Sequence, residues 1–141
     1  MKTSSSRHEI QLVTFLLDGQ GYCVDVMSVR EIICMTDITK TTTATQYVEG
    51  IINLRGTIVP IISLRKRFGM ADTAHDINTC IAIMDLAGQL TGFIVDEVED
   101  VIRVKREQIQ PPAEAVEQEW MEGIVYLDQK IVMVMNPEHL A

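Results

Sequence analysis

Two small β-barrels sharing a hydrophobic core is the mainly β architecture that this sequence predicts, on three observations. Ile and Val far outnumber Leu, and Thr is plentiful, a bias toward side chains that suit a pleated strand. Short apolar or alternating runs recur along the chain, each bounded by Gly or polar turn residues. Two segments also echo each other at an offset of about 73 residues. Val48-Glu49-Gly50-Ile51 lines up with Met121-Glu122-Gly123-Ile124, and Leu54, Ile58, Val59 and Ile61 line up with Leu127, Ile131, Val132 and Val134. A repeat of this size marks a duplicated supersecondary unit. Neither unit has enough apolar surface to be very stable alone, so two barrels on one interface are the natural solution. Duplicated halves can exchange strands, which leaves open which strand joins which barrel.

The elements follow in order. Residues 1–8 are polar and read as a loose N-terminal arm, leaving 9–141 as a single domain. From Ile10 to Leu17 the chain alternates as a strand. Asp18-Gly19-Gln20-Gly21 turns it back into Tyr22–Val26, its hairpin partner. Met27 to Ile33 reads as one helical turn leading into a strand, and the Thr-rich stretch from Asp37 to Thr45 as a loop. The central hairpin runs from Val48 to Leu64, with arms apolar on both faces, so both faces should be covered. Leu64 to Gly69 reads as a short helix, since Leu64 and Phe68 share one face and Gly69 can stop it. Its three basic residues, Arg65, Lys66 and Arg67, read as a solvated face. A polar connector leads to a strand at Thr79–Asp85, a turn and its partner Leu90–Val95. Val98 to Val104 reads as a strand broken by charge. Gln110-Pro111-Pro112 ends regular structure. Residues 113–119 are a loop or a short helix. A last hairpin spans Met121 to Met135, and Pro137–Leu140 caps the chain with one helical turn.

The repeat also works as an internal control. Gly50 and Gly123 hold equivalent places, so a structural need at that corner explains both. Arg55-Gly56, at the tip of the central hairpin, corresponds to Asp128-Gln129. Gly56 can take positive φ without steric cost. The hairpin itself does not require arginine, because its second copy closes without one. Two readings of Arg55 stand: a solvated turn residue, or a residue with a separate role.

The composition excludes several functions. A net charge of −8 argues against a general nucleic-acid binder and against an anionic membrane surface as partner. No run is apolar for the roughly 18 residues that a membrane span needs. The polar start lacks the apolar stretch of a signal peptide, so the expected location is the cytoplasm. His8, His75 and His139 have no nucleophile or carboxylate at a catalytic spacing. There is no nucleophile elbow and no phosphate loop. The acidic set Asp96, Glu97, Glu99 and Asp100 alternates along a strand with no wrapping loop, so no metal site is expected. Cys23, Cys34 and Cys80 are isolated in apolar runs and read as buried structural thiols. A binding or scaffolding module is what remains, with its function in surface patches.

Taken together, several stretches resemble the CheW family, the coupling proteins of bacterial chemosensory arrays. They are Tyr22-Cys23-Val24-Asp25-Val26, Val29-Arg30-Glu31-Ile32, Tyr47 through Gly56 with its Asn53-Leu54-Arg55-Gly56 segment, and Ile58-Val59-Pro60-Ile61-Ile62. Leu64-Arg65 with Phe68-Gly69, Gly92 through Asp96 with Val98 and Val101, and Ile109 with Pro111-Pro112 complete the set. The resemblance implies two five-stranded SH3-like β-barrel subdomains with short helices. It implies no enzyme activity and no cofactor. The partners it implies are the regulatory domain of a CheA-type histidine kinase and the cytoplasmic tip of methyl-accepting chemotaxis receptors, at membrane-bound receptor arrays.

Carried over by position, the family's receptor-facing groove involves Val29, Glu31, Arg55, Cys80 and Ile81, and Ile38-Thr39 lies in a loop near partner contacts. Core packing is the competing reading for Val29, Cys80 and Ile81, and a surface strand charge for Glu31. The chain departs from the family pattern at Thr42 and Thr45, where prolines are usual, so that loop should be more mobile. It also departs at Cys23, at Cys80 and in its early stop. Two other functions fit the residues: an adaptor of a non-flagellar chemosensory or polar-localisation system, and a small-molecule sensor using the space between the barrels.

Overall fold

The computed structural model describes residues 9–41, 47–112 and 118–140. The N-terminal arm, the loop positions Thr42 and Thr45, and most of the segment read as loop or short helix lie outside the described residues. Among the described residues ten strands form: β1 (Glu9–Leu17), β2 (Gln20–Asp25), β3 (Val29–Cys34), β4 (Val48–Leu54), β5 (Thr57–Ser63), β6 (Cys80–Leu86), β7 (Gln89–Val95), β8 (Glu97–Lys105), β9 (Met121–Leu127) and β10 (Lys130–Met135). One α-helical turn, α1 (Leu64–Arg67), follows β5, capped by the Ser63 side chain accepting from the Lys66 amide. Short 3-10 turns occur at Val26–Ser28, Arg106–Gln108 and Pro137–His139. Within the described residues the element reading holds, with one difference: β8 runs as one strand. It lies at a sheet edge, where its charges face water, and its ladder with β1 is interrupted only by a one-residue bulge.

The strands make two five-stranded sheets, ordered β8-β1-β2-β10-β9 and β3-β6-β7-β5-β4. The two orders are the same pattern. β8, β1, β2, β10 and β9 correspond in turn to β3, β6, β7, β5 and β4. Each sheet therefore takes strands from both halves of the repeat. In each, one parallel pair (β2 with β10, β7 with β5) joins strands of different halves.

The equivalence extends to irregularities. β3 skips Arg30 against β6, and β8 skips Glu99 against β1. β4 skips Glu49 against β5, and β9 skips Glu122 against β10. An isolated bridge joins Thr39 to Ile51 after β3, and another joins Gln110 to Ile124 after β8. Each bridge turns its sheet back toward its own far edge.

Those bridges explain the paired glycines. A Cβ on Gly50 would stand 2.2 Å from the Thr39 carbonyl oxygen, and one on Gly123 2.7 Å from that of Gln110. Only a residue without a side chain lets the bridging backbone cross there.

Alternation divides the apolar side chains among three clusters. Leu12, Cys23, Val104, Val125, Val132 and Val134 fill the interior of the first sheet. Ile52, Val59, Ile61, Ile81, Ile83 and Ile94 fill that of the second. Val13, Phe15, Leu17, Tyr22 and Val24 from one sheet meet Ile62, Ala82, Met84, Phe93 and Val95 from the other in a shared core. The central hairpin is buried on both faces at β5, where Val59 and Ile61 point one way and Ile62 the other. Ile58, next to the turn, is 56% exposed and escapes that expectation.

Two readings of the sequence are corrected. The basic residues of α1 are fasteners instead of a solvated face. Arg65 is largely covered and binds Asp96 through two hydrogen bonds of 2.9 and 2.5 Å. Lys66 pairs with Glu49 at 2.6 Å, and Arg67 lies over the Tyr47 ring and donates to the His139 carbonyl. Consecutive residues on one turn point in different directions, so each meets a different element. The thiols are also not all buried. Cys23 is, but Cys34 is exposed and Cys80 half-buried, because Cys34 lies on the edge strand β3, which has no neighbour to cover it.

Candidate docking surface

The residues singled out for docking gather around β3, the edge of the second sheet. The register of β3 against β6 sorts them by face. Val29, Ile32 and Cys34 stand opposite Met84, Ala82 and Cys80. Of these, Met84 and Ala82 belong to the shared core, and Val29 and Cys80 pack against it. Glu31 and Ile33 stand opposite Ile83 and Ile81, inside the second sheet's own core. The carried-over set thus splits into an apolar group, Val29 and Cys80, and a charged group, Glu31 with Arg55.

The apolar group lies where the two sheets meet. Val98 of β8 packs on the same shared core, and its backbone lies beside the Cys80 thiol. Burial, the largest influence, pushes that thiol upward from its ordinary pKa. Ile32 on β3 and Val101 on β8, equivalent positions of the two halves, remain 40% and 49% exposed. The margin of the shared core is therefore open at the sheet edges. The sequence reading did not count Ile32 and Val101 among the docking residues; they stand 69 residues apart, off the 73-residue offset of the hairpins, and the matching registers of β3 and β8 pair them.

The charged group connects two elements. The Arg55 guanidinium donates to the Glu31 carboxylate and forms an ion pair with it, the arginine side chain 70% exposed. This hydrogen bond, then the Glu31 charge, raises the arginine pKa further. Next to it, Arg30, the bulge residue of β3, binds Asp85 at 2.6 Å. Asp85 also accepts from the Gly88 amide in the β6–β7 turn. Nothing in the sequence signals this second pair, since its partners are remote along the chain.

The remaining candidates take structural positions. Ile81 is fully buried in the second sheet's core and offers no surface of its own. Thr39 exchanges two backbone hydrogen bonds with Ile51, and Ile38 packs against the second sheet's core. Gly56 takes φ 90° beside Arg55 at φ 50°, and its amide donates to Asn53 at 2.8 Å. Among the described residues no group of three or more His, Cys, Asp or Glu side chains is placed to hold a metal ion. No described helix is long and apolar enough to cross a membrane.

Comparison with known proteins agrees with this architecture. The family model for the CheW-like domain matches residues 11–141. A chemotaxis protein CheW from Klebsiella aerogenes is 30% identical, the match covering 92% of this chain and 80% of that protein. One from Treponema pallidum is 33% identical, covering 91% and 79%. The crystal structure of the scaffolding protein TtCheW from Thermoanaerobacter tengcongensis superposes with a TM-score of 0.86 at 34% identity, covering 93% of this chain and 86% of that one. With a family match across both sheets and a solved relative of the same fold, this chain belongs to the CheW family.

Proposed function

We propose that this protein is a non-enzymatic scaffold coupling methyl-accepting chemoreceptors to a CheA-type histidine kinase, with the receptor tip seated along β3. One observation carries the placement. Arg55 occupies a turn position that its repeat partner fills with Asp128, and it spends its charge on Glu31, on another strand. The hairpin needs neither the arginine nor the pair. An edge strand is thin, so a helical tip lying along β3 reaches both of its faces. The apolar stripe of the helix covers Val29 and Cys80, while Arg55 and Glu31 at the rim fix its orientation. The acidic net charge suits such a protein–protein role better than binding to nucleic acid.

The test is a titration of the chain with a receptor-tip fragment and, separately, with a kinase regulatory domain. Arg55→Ala and Val29→Asp are expected to keep the wild-type circular dichroism. Each should weaken tip binding by about 1–2 kcal/mol, roughly five- to thirtyfold. Normal tip binding by both would remove the docking assignment. Loss of folding in Arg55→Ala would make the arginine structural.

A further inference from the structure

Cys34 and Cys80 are Cα partners on the antiparallel strands β3 and β6. Both are free, Cys34 exposed and Cys80 half-buried. Directly opposed residues of an antiparallel pair point to the same face with Cα atoms about 4.5–5.5 Å apart. A disulfide accepts Cα separations of about 4.4–6.8 Å, so the Cα spacing of this pair admits the bond, and a small inward shift of the edge strand brings the Cβ atoms, about 4.5–5.5 Å apart in opposed pairs, into range. The equivalent positions in the other sheet are Gln11 and Arg103, also directly opposed. The fold therefore accepts an ordinary polar pair there, and packing does not call for two thiols.

We propose that Cys34 and Cys80 form an oxidisable cross-strand dithiol that peroxide closes to an intramolecular disulfide, stapling the edge strand β3 to β6. The Cys34 sulfur, the more exposed, attacks the peroxide oxygen. The O–O bond breaks, Cys34 becomes a sulfenic acid, and the other oxygen leaves as water. The Cys80 sulfur then attacks Cys34, and the sulfenic hydroxyl leaves with the Cys80 proton as a second water. Two thiols are oxidised by two electrons and one peroxide is reduced to two waters. The order suits the surroundings. Burial raises the Cys80 pKa, which makes it the poorer first nucleophile. The Cys80 thiol now donates to the Asn78 carbonyl at 3.2 Å, a bond that closure exchanges for the disulfide. Cys23 supplies a control within the same chain. It is fully buried, and burial pushes its thiol up to about 12, so it stays reduced.

The experiment treats the full chain with hydrogen peroxide, then measures intact mass, alkylatable thiols and the peptide map. Expected are the loss of two hydrogens, protection of Cys34 and Cys80 but not Cys23 when the oxidised chain is alkylated in denaturant, a peptide linking the two, and reversal by dithiothreitol. Cys34→Ser and Cys80→Ser should each abolish the link, and amide exchange across β3 should slow severalfold in the oxidised form. Oxygen addition at Cys34 without a link, a dimer joined through Cys34, or intact thiols would overturn the dithiol. A link with unchanged β3 exchange would overturn the staple.

Discussion

Arg55 is at φ 50°, in the left-handed region, and so are Asp18, Ala87 and Asp128 at the tips of the other three two-residue hairpins. In three of these turns a glycine with positive φ follows. That pair of conformations is the turn whose twist matches a hairpin, and Asn or Asp fill its first position most readily. An arginine there is worse placed than an asparagine would be. Arg55→Asn should therefore leave stability unchanged or raise it by about 0.5 kcal/mol, read as the denaturation midpoint, while receptor-tip binding falls as in Arg55→Ala. A stability loss comparable to a core truncation would show that the Glu31 pair holds the fold. The sequence made Gly56 legible as a turn residue because glycine advertises positive φ. It did not reveal the strained Arg55 backbone, since nothing in an arginine advertises it, nor the Glu31 pairing, which needs the fold to bring β3 beside the turn.

At the level of elements, α1 is a single helical turn whose stability comes from what it is tied to. Its main tie is Asp96, which also accepts from the Asp18 amide at 2.8 Å and donates its own amide to Leu16. This carboxylate fastens the β1–β2 turn, the β7–β8 corner and α1 together. Burial alone would raise its pKa, but the hydrogen bonds from Arg65 and the Asp18 amide, with the Arg65 charge, outweigh burial and hold it below the ordinary 3.8. A carboxyl depressed in the folded state contributes stability that is fully present above its unfolded value. That contribution is lost as pH falls through the folded value. Asp96→Asn should thus cost about 1–2 kcal/mol near neutral pH. The gap to wild type should narrow as pH drops below about 4, measured by urea denaturation across pH. A gap independent of pH would mean that the loss is steric. The strands were legible from alternation and turn residues. The role of the basic residues was not, because a run of like charges looks solvated until Asp96 and Glu49 are placed beside it.

For the whole molecule, the repeat predicted two barrels and the structure adds how the halves share them. The first half supplies β1 and β2 to one sheet and β3, β4 and β5 to the other; the second half does the converse. The repeat could not reveal this, since equal halves fold equally well with or without exchange as far as periodicity shows. Cleavage in the exposed connector at residues 71–78 should leave a noncovalent complex that migrates as the intact chain. The two fragments, separated in denaturant, should each lack cooperative unfolding alone and regain it when mixed. Independent folding of either fragment would show that the exchange is dispensable.

The exchange also sets an order of events during synthesis. Strands β3 to β7 are consecutive, so the second sheet has all its members once β7 has left the ribosome. The first sheet starts with β1 and β2 and waits for β10, which follows all the other strands. Until then Leu12 and Cys23 lack Val125, Val132 and Val134, the side chains that later enclose them. The nascent hairpin thus carries an uncovered apolar face while β3 to β9 are being made. The interval between its emergence and that of β10 is when this chain is most exposed to misassembly and to capture by chaperones.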